Sequence, residues 1–169
     1  MLYNYLKYLV LLFMKNELDS TDLKILSMLQ EDARTPFTTI AGKLGVSDAT
    51  IHMRVKKIEK MGLIEKYTTI LNEDKIGKPF TSYVLIRVDP GSVQRVCKEL
   101  AELDDVYEVS EIHERYDILV KIRGESLDEI RDLLVQKIRP IKDIVGSETY
   151  TVYKNWKRDS GIKLENTLN

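Results

Sequence analysis

Apolar positions change their spacing along this chain, and each change marks an element. From Leu18 the spacing is helical: Asp19 can cap, Asp22 falls in the first turn, and Ile25, Leu26 and Leu29 continue the apolar face until Thr35-Pro36 stops it. A second short helix follows, with Thr35 as cap, Pro36 at the first helical position, and Ile40, Ala41 and Leu44 as its buried stripe. Gly45 and Val46 leave only a tight turn before Ser47, which can cap a third helix that Gly62 ends. On that helix Ile51, Val55 and Ile58 share one face, while Ala49, Met53, Lys56 and Lys60 lie opposite, with His52 and Lys57 at the edges.

Beyond Gly62 the rhythm shortens. Leu63-Ile64 and Tyr67 to Leu71 alternate as short strand material, ending at Asn72, Gly77 and Pro79. Phe80 to Val88 is a strand with Val84, Ile86 and Val88 on one face, and Asp89-Pro90-Gly91 turns into a helix striped by Val93, Val96, Cys97 and Leu100. Val106 to His113 and Tyr116 to Arg123 form a hairpin through Glu114 and Arg115. Ser126 with Glu129 reads as a capping box for a helix striped by Leu127, Ile130, Leu134 and Ile138, closed by Pro140, and Glu148 to Lys154 is the last strand. The order βαββαβ is that of a ferredoxin-like unit, with one open sheet face left for dimer packing or ligands.

The fold class expected is therefore α+β, an N-terminal three-helix helix-turn-helix domain over residues 18–66 and a C-terminal ferredoxin-like domain over 80–156. Residues 67–79 form a linker or short strand that could pair between subunits, and 157–169 form a loose polar tail. Residues 1–17 are an apolar extension whose first thirteen, MLYNYLKYLVLLF, carry only Lys7 as a charge. That run is too short to span a bilayer and lacks the marks of a secretion signal. It reads either as an extra helix packing on this or a neighbouring subunit, or as the product of an upstream start with Met14 as the usual beginning.

Charge sharpens the picture of the third helix. The 169 residues carry a formal net charge of only −1, so nucleic-acid affinity must come from a local patch. Between Phe37 and Lys66, six cations, Lys43, Arg54, Lys56, Lys57, Lys60 and Lys66, face only Asp48, Glu59 and Glu65. Most amphipathic helices are ordinary surface helices; a short helix, a glycine turn and a second helix with a basic outer face instead describe a helix-turn-helix placing its second helix in the major groove. Ala49, Thr50, His52 and Met53 are placed to meet base edges and thymine methyls, and Arg54, Lys56, Lys57 and Lys60 to hold phosphates, with Ser47 at the helix start also among the DNA-binding residues, although Arg54 could equally serve the domain's own stability. With no Asn or Gln on that helix, modest direct readout is expected, supplemented by DNA shape.

Other chemistry is thin. A single cysteine, Cys97, excludes an intramolecular disulfide, sits on an apolar stripe, and fits a reducing, cytoplasmic setting. There is no Gly-rich phosphate loop, and the two histidines, His52 and His113, complete neither a metal spacing nor a nucleophilic triad. No enzyme, metal or resident cofactor is expected.

The segments LDSTDLKILSMLQEDART, TIAGKLGVS, RVKKIEKMGLIEKYTTILN and YDILVKIRG, in this order, resemble the leucine-responsive regulator/AsnC family, also called feast/famine regulatory proteins, from about Glu17 onward. The resemblance implies a DNA-binding transcriptional regulator whose C-terminal domain dimerises, assembles to tetramers or octamers and binds an amino-acid effector. A twofold dimer implies a palindromic double-stranded operator with half-sites about one helical turn, roughly 34 Å, or a multiple apart. In that family the hairpin between the second and third C-terminal strands carries a glycine two residues before a Tyr-Asp pair; Tyr116 and Asp117 match, but Glu114 stands where the glycine would be. Glu114, Arg115, Tyr116, Asp117 and the neighbouring His113, with Ser147, Thr149 and Thr151 of the last strand, are the expected effector contacts, and the carboxylates favour a basic amino acid. The rival class is an amino-acid sensor or enzyme regulatory subunit that uses the same C-terminal fold without binding DNA.

Overall fold

A computed structural model describes residues 18–158 and 161–164; the apolar extension expected at 1–17 lies outside the described residues. The described chain forms two compact units, one ending at Thr69 and including 161–164, the other spanning Ile70–Arg158.

In the first unit, α1 (Ser20–Glu31) starts with a reciprocal capping box: the Asp19 carboxylate accepts from the N–H groups of Thr21 and Asp22, and the Asp22 carboxylate accepts from the N–H of Asp19. Next comes α2 (Phe37–Leu44). Pro36 occupies its cap rather than its first turn, and the Thr35 hydroxyl donates back to the Asp32 carbonyl instead of capping, so the start lies one residue later than expected. Gly45 closes α2 in the left-handed region at φ 67°, where a side chain would be strained, and its N–H returns to the Ala41 carbonyl. After that turn Ser47 caps α3 (Asp48–Lys60) by accepting from the Thr50 N–H. Ile51, Val55 and Ile58 of α3 pack with Ile25, Leu29, Ile40 and Ala41 in one core. Each fully buried isoleucine there contributes about 2 kcal/mol by area burial.

The extended stretch 63–72 forms no strand among the described residues. The strand expected in this stretch pairs between subunits, where the receiving edge belongs to a second copy of the chain. Residues 161–164 are also more tied than a loose tail: the Ile162 N–H donates to the Gln30 amide oxygen at 2.7 Å and the Gln30 amide nitrogen donates back to the Ile162 carbonyl at 3.1 Å.

The second unit is an antiparallel sheet in the order β2-β3-β1-β4, with β1 (Phe80–Val88), β2 (Val106–Glu111), β3 (Ile118–Gly124) and β4 (Ile144–Thr151). Two helical segments connect the strands, α4 (Val93–Ala101) and α5 (Leu127–Asp132), the latter widening into a π-helical stretch over Leu133–Ile138. Val84, Ile86, Ile118, Val120 and Ile122 share a core with Val96 and Leu100 of α4 and Ile130, Leu134 and Ile138.

Three expectations change here. Leu127, the first residue of α5, is 55% exposed, and Leu133 takes a core place because the wider turn brings it inward beside Leu134. The Ser126 hydroxyl accepts from the Glu129 N–H, but the Glu129 carboxylate accepts from Glu125 and Lys78 rather than closing the box. Finally, β4 begins at Ile144, four residues before the expected start, because a bulge at Arg87/Val88 lets the strand pair along nearly all of β1.

Candidate DNA-reading helix and effector hairpin

The core face of α3 determines what its outer face offers. With Ile51, Val55 and Ile58 buried, Ala49, Met53, Lys56 and Lys60 project to solvent, and Met53 is 67% exposed. An exposed thioether on a lysine-flanked helix suits an apolar contact such as a thymine methyl. His52 is braced from two sides: its ring meets Phe37 edge to face at 4.7 Å, and Nε2 lies 3.6 Å from Asp48 Oδ2. An open cleft of about 510 Å³ lies beside it, lined by Phe37, His52, Met53, Val55, Lys56 and Glu59. The Ser47 hydroxyl caps the helix and lies 2.8 Å from the Thr50 hydroxyl, so both polar groups are already engaged at the helix start.

Two of the expected phosphate contacts turn inward. Arg54, only 26% exposed, donates from Nη1 to Asp19 Oδ2 and Asp22 Oδ1, both at 2.7 Å, and Asp22 is fully buried. Lys57 Nζ stands 3.4 Å from Asp22 Oδ2. The Asp22 N–H, and then the guanidinium, hold the Asp19 carboxyl below the usual carboxylate range, while Asp22 and Asp19 push Arg54 further above its ordinary value. Arg54 thus ties the reading helix to the start of α1. Helix periodicity places Arg54 between the core and solvent faces, but only the fold brings it to carboxylates more than thirty residues away.

The second candidate site is the β2–β3 hairpin. The Ile112 N–H donates to the Asp117 carbonyl at 2.9 Å, and the Asp117 N–H donates to the Ile86 carbonyl. The Asp117 carboxylate accepts from the Val88 N–H at 2.9 Å, beside the β1 bulge. That contact commits one oxygen of Asp117 to the backbone. His113 and Glu114 stand exposed at the tip, and Glu114 has φ 101°, a conformation that glycine adopts without strain and a residue bearing a Cβ does not. Glu114→Gly is accordingly expected to stabilise the chain by about 1 kcal/mol, after allowance for glycine's greater unfolded-state freedom; chemical denaturation measures it. A loss of stability would mean that the Glu114 side chain makes a compensating contact.

Ser147, Thr149 and Thr151 do not join this hairpin. They pair with Ile86, Val84 and Ser82, whose side chains lie on the helix-covered face, and the Ser147 and Thr151 hydroxyls meet Arg139 and Ser82 there. The strand alternation instead turns Glu148 and Tyr150 to the other face. Arg115 Nη2 lies 3.4 Å from Glu148 Oε1, the Tyr150 hydroxyl donates to Glu148 Oε2 at 2.8 Å, and the Tyr116 hydroxyl donates to the same carboxylate. These two phenols, then Arg115 and Arg87, hold Glu148 below its ordinary pKa, and Glu148 in turn raises both tyrosines. The sequence signal for Glu148 was its alternation with Ser147 and Thr149; the choice between the two faces required the β1 pairing.

A helix-turn-helix with a basic outer face, joined to a ferredoxin-like unit with a polar hairpin cluster, defines the class of ligand-responsive transcriptional regulators. The chain matches the AsnC-type helix-turn-helix domain over residues 18–59 and the Lrp/AsnC ligand binding domain over 81–162. It is 32% identical over 152 residues to the HTH-type transcriptional regulator FL11 of Pyrococcus abyssi, covering 90% of this chain and all of that one. It is 33% identical over 141 residues to the regulatory protein AsnC of Haemophilus influenzae, covering 83% and 94%. Its fold superimposes on E. coli AsnC with a TM-score of 0.79 at 29% identity, over 83% of this chain and 95% of that one. The transcriptional regulator NMB0573 of Neisseria meningitidis, solved as a complex with L-Met, shares the fold at a TM-score of 0.83 and 17% identity, over 88% and 97%. The chain belongs to the Lrp/AsnC family: it is a transcriptional regulator, not an enzyme, with an AsnC-type helix-turn-helix unit and an Lrp/AsnC ligand-binding unit. Among the described residues no helix is long and apolar enough to cross a membrane, and no cluster of His, Cys, Asp and Glu is arranged to hold a metal.

Proposed function

We propose that this regulator acts in the cytoplasm as a homodimer, assembling further to a tetramer or octamer, on a palindromic operator, and that a basic amino acid controls its DNA binding or assembly. The observation that carries the DNA reading is the outer stripe of α3, where Ala49, Met53, Lys56 and Lys60 project together from a helix held by its own core. Lys56 and Lys60 hold phosphates; Ala49, Thr50, His52 and Met53 face bases; Arg54 and Lys57 support the helix from the side of Asp22. At the hairpin, Glu114 and Glu148 supply negative charge for a cationic effector, and Arg115 at 3.4 Å from Glu148 is a surface contact that such a ligand can replace. Tyr116 and Tyr150 donate to Glu148 and orient it for that ligand.

The effector test is thermal unfolding with each of the twenty amino acids. A ligand that binds only the folded protein stabilises it by about 2.7 kcal/mol at a hundredfold excess over its dissociation constant. Lysine or arginine is expected to raise the midpoint and the neutral amino acids to leave it unchanged. A response confined to apolar amino acids would overturn the assignment of a basic effector.

A further inference from the structure

The outer stripe of α3 is walled on one side by the helix before it. The open cleft of about 510 Å³ beside His52 shares Met53 and Lys56 with that stripe and takes Phe37, the first residue of α2, as its opposite wall. Its lining is largely apolar: Val55 is 3% exposed, Phe37 is half-buried against the core of the unit, and the Met53 thioether is 67% exposed. The His52 ring, edge to face with Phe37 at 4.7 Å, joins the two helices there. Two carboxylates stand nearby and each is engaged. Asp48 Oδ2 lies 3.6 Å from His52 Nε2, and Glu59 Oε1 accepts from the Tyr67 hydroxyl at 2.9 Å. Lys56 and Lys60 are exposed along the same stripe.

An apolar hollow flanked by exposed lysines fits an apolar group carried on a polyanion. In the major groove thymine presents such a group, its C5-methyl, beside the O4 acceptor. We propose that this cleft is a thymine pocket, in which Phe37, His52 and Met53 surround the C5-methyl of one thymine in each half-site. Phe37 then determines specificity from α2, a helix that otherwise only supports the reader. Its aromatic face gives the methyl a wall that α3 cannot supply, because Ala49 is too short and Lys56 is charged. Glu59 matters in the same pocket: the Tyr67 hydroxyl holds its carboxylate, which limits its approach to the DNA phosphates. The inference rests on the DNA reading of α3 proposed above; the apolar lining and its charge pattern do not.

Deoxyuridine in place of thymine removes the methyl and leaves every hydrogen-bonding group of the base pair. The test uses the full chain and a symmetric duplex selected from a random-sequence pool, with each symmetry-related pair of thymines replaced in turn. At one pair the wild type should lose about fourfold in affinity per methyl, and so about fifteenfold for the two half-sites together. In Met53→Ala and Phe37→Leu that ratio should fall below about threefold. A variant that merely loosened the unit would weaken the thymine and deoxyuridine duplexes by the same factor, so the ratio separates recognition from folding. Lys56→Ala should weaken both duplexes and keep the ratio. If Phe37→Leu does not fold, Met53→Ala carries the test, since an exposed side chain can be truncated at little cost to stability. A ratio below twofold at every thymine pair overturns the pocket, as does a full ratio that survives in Met53→Ala, and both results spare the DNA reading of α3. A full ratio in folded Phe37→Leu removes Phe37 and overturns the two-helix pocket. DNA binding with no preferred sequence also overturns it, and failure to bind any duplex overturns the DNA reading as well.

Discussion

Replacing Arg54 with alanine should lower the stability of the DNA-binding unit by about 2–3 kcal/mol while leaving the salt dependence of DNA binding unchanged. Removing one partner of a buried ion pair costs about 3–5 kcal/mol, because the remaining charge is stranded. Here the stranded group is Asp22, fully buried, and the figure is reduced because Arg54 is 26% exposed and Lys57 stays 3.4 Å from the same carboxylate. Operator affinity should fall, since α3 loses its tie to the start of α1, but by the same factor at every salt concentration. A true phosphate contact behaves otherwise, with the slope of log affinity against log salt falling by about 0.9 for each contact removed. Arg54→Lys is expected to recover part of the stability, because an ammonium can replace one of the two 2.7 Å bonds but not hold both carboxylates in the same geometry. Denaturation with parallel binding titrations at several salt concentrations separates the two roles, and a shallower slope in Arg54→Ala would return this residue to the DNA.

Lys56 and Lys60 should behave in the opposite way. Both are exposed, on the face of α3 opposite Ile51, Val55 and Ile58, so Lys56→Ala/Lys60→Ala should leave stability within about 0.5 kcal/mol of the parent. Its affinity for DNA should drop roughly 100-fold near physiological salt, at about tenfold for each charge-assisted contact. The loss should be nearly equal on specific and unrelated sequences, because phosphates carry no base identity, and the salt slope should fall by about 2, with Lys56→Ala alone accounting for about 1. Met53→Ala should differ from both, weakening the preferred sequence more than others, since an exposed thioether reads base edges and not phosphates. An undiminished slope in the double variant would move the DNA contact off this face of α3.

Much of the chain's organisation is legible in its sequence. Helical stripes are visible in sequence because burial repeats every three to four residues, so spacing puts Ile25, Leu29, Ile40, Ile51, Val55 and Ile58 on the apolar faces of their helices, and the fold joins those faces in one core. The caps at Asp19 and Ser47 and the turn at Gly45 are equally local, each involving groups within a few residues. The βαββαβ order follows from the same kind of information, with β1 matching its expected span of Phe80 to Val88. What failed were the places where a partner across the fold decides the outcome. β4 reaches back to Ile144 because β1 offers its edge that far, and the box expected at Ser126 and Glu129 stays open because the Glu129 carboxylate turns to Glu125 and Lys78.

The candidate sites divide along the same line. Sequence by itself determined the family, the two kinds of unit, and the side of α3 that carries Ala49, Met53, Lys56 and Lys60, because each depends on patterns within one element or on ordered motifs. Only the tertiary structure decided that Arg54 answers to Asp19 and Asp22, that Asp117 braces the β1 bulge through Val88, and that Glu148, held by Tyr150, rather than Ser147, Thr149 and Thr151 meets Arg115 and Tyr116. The contacts of Arg54, Asp117 and Arg115 join residues about thirty positions apart, at distances of 2.7 to 3.4 Å. Periodicity assigns a side chain to a face; which charge waits on that face is determined by strand register and helix crossing, and those are properties of the assembled fold.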